Sequence, residues 1–203
     1  MLPKLGILGS GIGTNMAAIA EACRTGELAA VPVIVLSDVQ ESGILAKAEE
    51  RGIPNLYIPP GPFQSKLSDE SERSFIESLK QSKVDWVLLA GFMRIVKSDF
   101  LRAYPERMVN IHPSLLPSFP GLNAPAQALS YGVTVTGCTV HLVDQGIDTG
   151  AIIAQEPVKI LSGDTPESLN QRIKETEHRL YPMAVSELTS GKIKICGRQV
   201  SRS

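Results

Sequence analysis

At 203 residues, 43% apolar and only 20% charged, the chain has the size and make-up of one compact α/β domain with a substantial buried core. Twenty basic and twenty-one acidic residues leave a formal net charge of −1, which supplies no global positive field for a nucleic acid, so an anionic small molecule would need a local pocket. The cysteines Cys23, Cys138 and Cys196 fall in no CxxC or Cys/His ligand spacing, and the longest apolar stretch, Val84 to Val96, is short and interrupted by Asp85, Gly91 and Arg94; a reduced intracellular chain without signal peptide or membrane anchor is expected.

In chain order, Leu5 to Gly9 reads as a short buried strand, followed by the glycine-rich turn Ser10-Gly11-Ile12-Gly13. A helix is expected next, with Thr14 or Asn15 as its N-cap and Met16, Ile19 and Cys23 on one face. Val31 to Leu36 supplies a second strand at βαβ distance. The alternation continues with a helix over Gly43 to Arg51, a strand at Leu56 to Ile58, a proline- and glycine-rich loop at Pro59 to Pro62 and a helix near Glu70 to Gln81 carrying Phe75, Ile76 and Leu79. The continuous apolar run Val84 to Ala90 suits a central strand covered on both faces. Beyond it, Met108 to Ile111 is a short strand ending in His112, and an irregular stretch with Pro113, Pro117, Pro120 and Gly121 follows. Val133 to Val143 and Ala151 to Ile160 pair as an antiparallel extension around Asp144 to Gly150. A last helix opens at Thr165-Pro166 and aligns Leu169, Ile173, Thr176 and Leu180. The pattern predicts an α/β fold, a Rossmann-like and mostly parallel central sheet flanked by helices, with an antiparallel C-terminal strand extension.

Three segments carry candidate chemistry, and each has a plain structural alternative. The glycine loop can bring backbone N–H groups to a phosphate at the positive end of a helix, or it can be an ordinary tight turn. It lacks the last glycine of GxGxxG and has no GK[ST], which disfavours a dinucleotide or a nucleoside triphosphate. Strand alternation points Asn110 and His112 the same way, so an amide donor for an oxyanion and an imidazole that shuttles protons could act on one atom; a histidine at a strand end can equally be a structural hydrogen-bonder. Asp144-Gln145-Gly146-Ile147-Asp148-Thr149-Gly150 is either a hairpin loop or, folded back on His112, a carboxylate that orients the imidazole and raises its pKa. No GxSxG elbow or Cys–His pair supports a covalent nucleophile, and His141 and His178 lack metal-site spacing, so no metal is expected.

Taken together, Asn110-Ile111-His112-Pro113-Ser114-Leu115-Leu116-Pro117, then Pro120-Gly121, Gln127-Ala128-Leu129, His141-Leu142-Val143-Asp144 and Asp148-Thr149-Gly150, resemble the phosphoribosylglycinamide formyltransferase family in order and spacing. Ser10 to Asn15, Ala90 to Val96, and Glu177-His178 with Tyr181-Pro182 extend the resemblance over nearly the whole chain. It implies a single domain over 1–203, with a phosphate- and ribonucleotide-binding half at about 1–100 and a catalytic and folate-binding half at about 101–203. The implied reaction moves the formyl group of 10-formyltetrahydrofolate to the amine of glycinamide ribonucleotide in purine biosynthesis. Asn110, His112 and Asp148 would be catalytic. Gly13, Thr14 and Asn15 would hold the ribose phosphate, and Glu177 the sugar hydroxyls. Met93, Arg94, Ile95 and Val96, with Asn110, Asp144, Gln145, Gly146, Ile147 and Asp148, would line the folate site, and Lys66 would sit near the folate tail.

The resemblance further implies a cytoplasmic monomer or homodimer acting on small molecules, with neither nucleic acid nor membrane as partner. Ile12 and Asn123-Ala124-Pro125 depart from residues common in the family, and Lys66 replaces an arginine found in some members, giving a point charge without a planar fork. Methionyl-tRNA formyltransferase and formyltetrahydrofolate deformylase share a similar Asn, His and Asp set. Their additional domains are not expected here, and Glu177 with the glycine loop favours a ribonucleotide acceptor. A non-catalytic folate- or phosphate-binding module is the reading from another class.

Overall fold

A computed structural model describes residues 1–202 of the chain. Seven strands form one sheet in the order β3-β2-β1-β4-β5-β6-β7, and two more form a separate hairpin, β8-β9. This is the mostly parallel, helix-flanked α/β architecture with an antiparallel extension that the alternating pattern predicts. The chain divides into two compact units, Met1–Val109 and Asn110–Ser203.

In the first unit, β1 (Lys4–Leu8), β2 (Val31–Ser37), β3 (Asn55–Tyr57) and β4 (Trp86–Leu89) alternate with α1 (Thr14–Thr25), α2 (Gly43–Glu49) and α3 (Asp69–Gln81), and α4 (Ser98–Ala103) follows. β1 runs parallel to both β2 and β4, with Leu5 opposite Trp86 and Leu8 opposite Leu89. Both edges of β1 are therefore paired, and Leu5, Ile7 and Leu8 are fully buried, as in a strand whose two faces are covered. α3 begins under a Ser68 side-chain cap on the Ser71 N–H and buries Phe75, Ile76 and Leu79 as expected. The expected cap of α1 is corrected: neither Thr14 nor Asn15 caps it, because Gly13, in a left-handed conformation at φ 81°, precedes the first turn and no side chain caps it. Cys23, expected on the buried stripe, is only half-buried, while Met16 and Ile19 are fully buried. The six-residue α4 lies in a segment whose apolar spacing is too short to register as a helix.

In the second unit, β5 (Met108–His112) brings in Asn110 and His112, followed by α5 (Ala124–Tyr131), β6 (Val135–Leu142), β7 (Ile152–Lys159), α6 (Pro166–Thr189), β8 (Ile193–Cys196) and β9 (Gln199–Arg202). β6 and β7 pair antiparallel, Val135 opposite Lys159 and His141 opposite Ile152. α6 starts in a capping box between Thr165 and Ser168, has Pro166 in its first turn, and buries Leu169, Ile173, Thr176 and Leu180. α5 and the β8–β9 hairpin were not foreseen in the pattern: α5 is short and starts after a left-handed Asn123, and β8 and β9 are four residues each. Among the described residues no helix is long and apolar enough to cross a membrane.

Candidate active site

The first unit places two loops side by side at the carboxyl ends of adjacent parallel strands. Strand β1 has β2 on one side and β4 on the other, the arrangement in which an open α/β sheet offers a crevice for a ligand. The loop after β1 is tied to the segment after β4 by the Ser10 N–H, which donates to the Gly91 carbonyl at 3.0 Å. It is tied to α2 by the Ile44 N–H, which donates to the Gly11 carbonyl at 3.0 Å. Gly13 must be glycine twice over: its φ is positive, and a Cβ would stand 2.5 Å from the Ile44 Cα. The result is a loop with backbone close to the start of α1 and with no side chain at Gly13, the shape that leaves N–H groups open to an anion. Thr14 and Asn15 form the first turn of that helix. Ile12 is exposed, so the departure at this position presents an apolar side chain to solvent and leaves the backbone loop in place.

Met93 and Ile95 are exposed beyond β4, whereas Arg94 turns inward. Its Nε donates to Asp38 Oδ2 at 2.6 Å and its Nη1 to the Phe63 carbonyl at 2.8 Å and to the Gln64 carbonyl. The guanidinium is thereby spent on its own unit, so of the expected folate-lining segment Met93 to Val96, Arg94 offers its backbone only. Lys66 is bridged in parallel to Ile95, and its ammonium lies over the Phe63 ring at 4.6 Å.

The second unit brings Asn110, His112 and Asp148 together. Alternation along β5 puts Asn110 and His112 on one face, and both meet the turn after β6. His112 Nδ1 is 3.2 Å from Asp148 Oδ2, and Asn110 Nδ2 is 3.5 Å from Asp148 Oδ1. Asp148 reaches back because its backbone is left-handed, φ 54°, and because the turn is braced from within. The Gly146 N–H and the Thr149 hydroxyl donate to Asp144 Oδ1 at 3.1 and 2.6 Å. Gly150 lies so close to β6 that a Cβ would stand 1.8 Å from the Leu142 carbonyl oxygen.

The loop after β5 completes the setting. Gln127 donates from α5 to the Pro120 and Leu122 carbonyls at 3.1 and 2.8 Å, and between them the Gly121 N–H donates to Asp148 Oδ2 at 2.8 Å. The Phe119 carbonyl lies 2.8 Å from His112 Nε2. Buried Thr139 anchors the same loop: its hydroxyl donates to the Ser114 carbonyl at 2.6 Å and accepts from the Leu116 N–H at 3.0 Å and the Gln155 amide at 2.9 Å.

His141, set aside in the sequence for want of metal-ligand spacing, belongs to this cluster. Its Nδ1 is 2.8 Å from the Leu142 carbonyl, an acceptor, so Nδ1 carries the proton. Nε2 lies 3.2 Å from Asn110 Nδ2 and 3.5 Å from Asp148 Oδ1; when Nδ1 carries the ring's one proton, Nε2 is a lone pair that accepts from the amide. One amide hydrogen is thus held by His141, and the other has only the long contact to Asp148. The available signal was alternation along β6, which puts His141 in phase with Thr139; nothing in the spacing pairs β6 with β5.

The electrostatics correct one expectation. Burial lowers the His112 pKa below its ordinary value; the Phe119 carbonyl and the Asp148 charge pull it back up, His141 lowers it further, and burial prevails. The carboxylate therefore offsets desolvation without producing the net rise foreseen. Burial works against the charge of Asp148 as well, but the contact with His141, the Gly121 N–H and the two imidazoles hold its carboxyl below the usual carboxylate range. The site is a half-buried carboxylate beside a buried imidazole that can take and return a proton, with an amide N–H alongside. Among the described residues no group of three or more His, Cys, Asp or Glu side chains is placed to hold a metal ion. Glu177 is buried on α6.

Comparison with known proteins follows the same line. Residues 3–185 match the profile of the family described as formyl transferase. A phosphoribosylglycinamide formyltransferase of Bacillus subtilis is 38% identical over 187 residues, 92% of this chain and 95% of that protein. The crystal structure of glycinamide ribonucleotide transformylase 1 from Symbiobacterium toebii superposes with a TM-score of 0.95 at 43% identity, covering 99% of this chain and 94% of that one. The trifunctional purine biosynthetic protein adenosine-3 of Drosophila pseudoobscura pseudoobscura is 43% identical over 94% of this chain, which spans only 14% of that much longer protein.

Proposed function

Because the chain belongs to the formyl transferase family, we propose that it transfers the formyl group of 10-formyltetrahydrofolate to the amine of glycinamide ribonucleotide, a step of purine biosynthesis. The observation that carries the reading is the convergence of Asn110 and His112 on Asp148. An amide donor, a proton-shuttling imidazole and an orienting carboxylate are the groups that direct acyl transfer between two nitrogens needs, and no nucleophilic side chain is required.

In this mechanism the substrate amine attacks the formyl carbon and a new C–N bond forms while the carbonyl oxygen takes up negative charge. The Asn110 N–H that is not held by His141 donates to that oxyanion. His112, whose pKa burial lowers, acts in its neutral form and accepts the proton the amine loses; the imidazolium that results carries an Nδ1–H beside Asp148 Oδ2. That proton passes to the departing folate nitrogen as its bond to the formyl carbon breaks, and His112 returns to its neutral form. Asp148 keeps the ring oriented throughout and stabilises its charged state.

Gly13, Thr14 and Asn15 are assigned to the ribose phosphate and Glu177 to the ribose hydroxyls. Met93, Ile95, Val96, the Arg94 backbone and residues 144–148 are assigned to the folate, with Lys66 toward its tail. The chain is taken as one catalytic domain, its first half chiefly concerned with the ribonucleotide, working in the cytoplasm as a monomer or homodimer. The test is a spectrophotometric assay of tetrahydrofolate formation from 10-formyltetrahydrofolate with and without glycinamide ribonucleotide. Product that depends on the ribonucleotide and nearly vanishes in Asp148→Asn supports formyl transfer; product formed equally well without it means hydrolysis of the folate instead.

A further inference from the structure

Outside the catalytic cluster, the most buried charged contact with no assigned role lies in the first unit. Asp38, at the end of β2, has a side chain 1% exposed and accepts from two different segments. The Ser10 hydroxyl donates to Oδ1 at 2.6 Å, and Arg94 Nε donates to Oδ2 at 2.6 Å. The Ser10 oxygen in turn accepts from the Met93 N–H at 2.9 Å. The Ser10 N–H reaches the Gly91 carbonyl, so the loop after β1 is joined to the segment after β4 through both its backbone and its side chain. Arg94 extends the network to the Phe63 and Gln64 carbonyls, next to the Ser65 carbonyl that accepts from the Ile95 N–H.

Taking a carboxylate this deep out of water is costly, and the cost is offset only where its oxygens are served by donors, as the Ser10 hydroxyl and the Arg94 guanidinium serve them in this one arrangement. That arrangement fixes Ser10, which starts the glycine loop, relative to Met93 and Arg94. We propose that Asp38 is a positioning residue that locks the phosphate-holding loop and the folate-lining segment into one piece, so that neither binding surface is formed without the other. The inference rests on the assignment of those two segments to the two substrates. Asp38 itself touches neither; it acts through the Ser10 hydroxyl and the Arg94 guanidinium.

Two variants of the full chain separate this from a merely structural role. Asp38→Asn keeps the shape and removes the charge, and Ser10→Ala keeps the Asp38–Arg94 pair while cutting the link to the Met93 N–H. In both, KM for the ribonucleotide and KM for the folate are expected to rise together, by about fivefold or more on the scale of typical coupling between sites, with kcat changed less. Amide hydrogen exchange at Met93 is expected to accelerate in both, read without any substrate. Unchanged exchange at Met93 in Ser10→Ala, or a rise in one KM alone, would overturn the proposal. If the wild-type protein showed no ribonucleotide-dependent turnover, the functional reading would fall, and exchange at Met93 would decide on the lock by itself. Should Asp38→Asn not fold, Ser10→Ala still carries the test, because it leaves the buried ion pair intact.

Discussion

His112 Nδ1 and Asp148 Oδ2 stand 3.2 Å apart, one at the end of β5 and the other in the left-handed turn that follows β6. The carboxylate partly offsets the burial that lowers the imidazole pKa. Removing its charge leaves burial less opposed, so in Asp148→Asn the His112 pKa moves further down. A proton titration of His112 followed by NMR is expected to show a midpoint below the ordinary histidine value in the wild type and a lower one in the variant. The acid limb of kcat/KM shifts to lower pH in step with it, beneath a much reduced maximum. A midpoint that rises in Asp148→Asn would refute this account of the site.

The same shifts set a sign for stability. His112 and His178 bind protons more weakly in the folded chain than in the unfolded one, and Asp148 does too. The unfolded state then takes up more protons as the solution is acidified, so stability falls with falling pH. For the two histidines the loss begins near their ordinary value and is complete below their folded values; for Asp148 it begins near the ordinary carboxylate value. Chemical denaturation at a series of pH values checks the direction, and in His112→Asn the loss in the histidine range is smaller.

The Asn110 amide has one hydrogen held by His141 and the other only loosely engaged. Asn110→Ala removes the proposed oxyanion donor and is expected to lower kcat by about 100- to 1,000-fold, with a smaller change in substrate KM. His141→Ala leaves the donor but frees the amide to rotate, so its loss in kcat is smaller than that of Asn110→Ala. The double variant is then only slightly worse than Asn110→Ala alone, since His141 acts chiefly through the amide and its contact with Asp148 Oδ1, at 3.5 Å, is long. Additive losses in steady-state kinetics would show that His141 has a separate role.

Much of this was legible in the sequence because single elements reveal themselves locally. Phe75, Ile76 and Leu79 mark α3 by spacing, Thr165-Pro166 marks the start of α6 by cap chemistry, and alternation puts Asn110 and His112 on one face of β5. What stayed out of reach depends on pairing between elements distant in sequence. His141 meets Asn110 only because of where β6 lies, and Asp38 meets Ser10 and Arg94 only because β1 sits between β2 and β4. The net pKa of His112 also escaped, since a charge partner can be guessed from a loop but desolvation requires knowing what covers the ring. The short β8–β9 hairpin and α4 were too brief for periodicity to register.

Thr139 tests how firmly the loop after β5 must be held. Its hydroxyl serves the Ser114 carbonyl, the Leu116 N–H and the Gln155 amide in a fully buried position. Thr139→Val keeps the volume and leaves those groups short of a partner, which is expected to cost about 2–4 kcal/mol of stability. Urea unfolding reads the cost as a lower midpoint with an unchanged slope. Thr139→Ser retains the hydroxyl and recovers most of the loss.

Gly13→Ala probes the proposed phosphate loop. The backbone there is left-handed, and the added Cβ would meet the Ile44 backbone at 2.5 Å, which cannot swing aside as a side-chain tip could. The left-handed conformation alone costs about 1–2 kcal/mol for a residue with a Cβ. The loop is expected to shift away from α2, raising KM for the ribonucleotide more than KM for the folate. A variant that loses stability but keeps both KM values would remove the loop from the phosphate site.

The hairpin β8–β9 meets the turn after β6 through Arg198. Arg198 Nη1 donates to the Thr149 carbonyl at 2.5 Å, next to Asp148, while Arg202 fastens the same hairpin to the Ile153 carbonyl at 2.7 Å and to Glu187 at 3.1 Å. Because Arg198 is exposed, its removal costs little global stability, under about 1 kcal/mol. Its effect falls on the turn instead, where Thr149 is held to Asp144 through its hydroxyl and to Arg198 through its carbonyl. In Arg198→Ala, amide exchange across residues 144–150 is expected to quicken, and kcat to fall about two- to tenfold because the carboxylate spends less time beside His112. Arg198→Lys keeps a donor and restores part of the rate. Unchanged exchange across the turn would mean that the Asp144 contacts and Gly150 suffice to hold it.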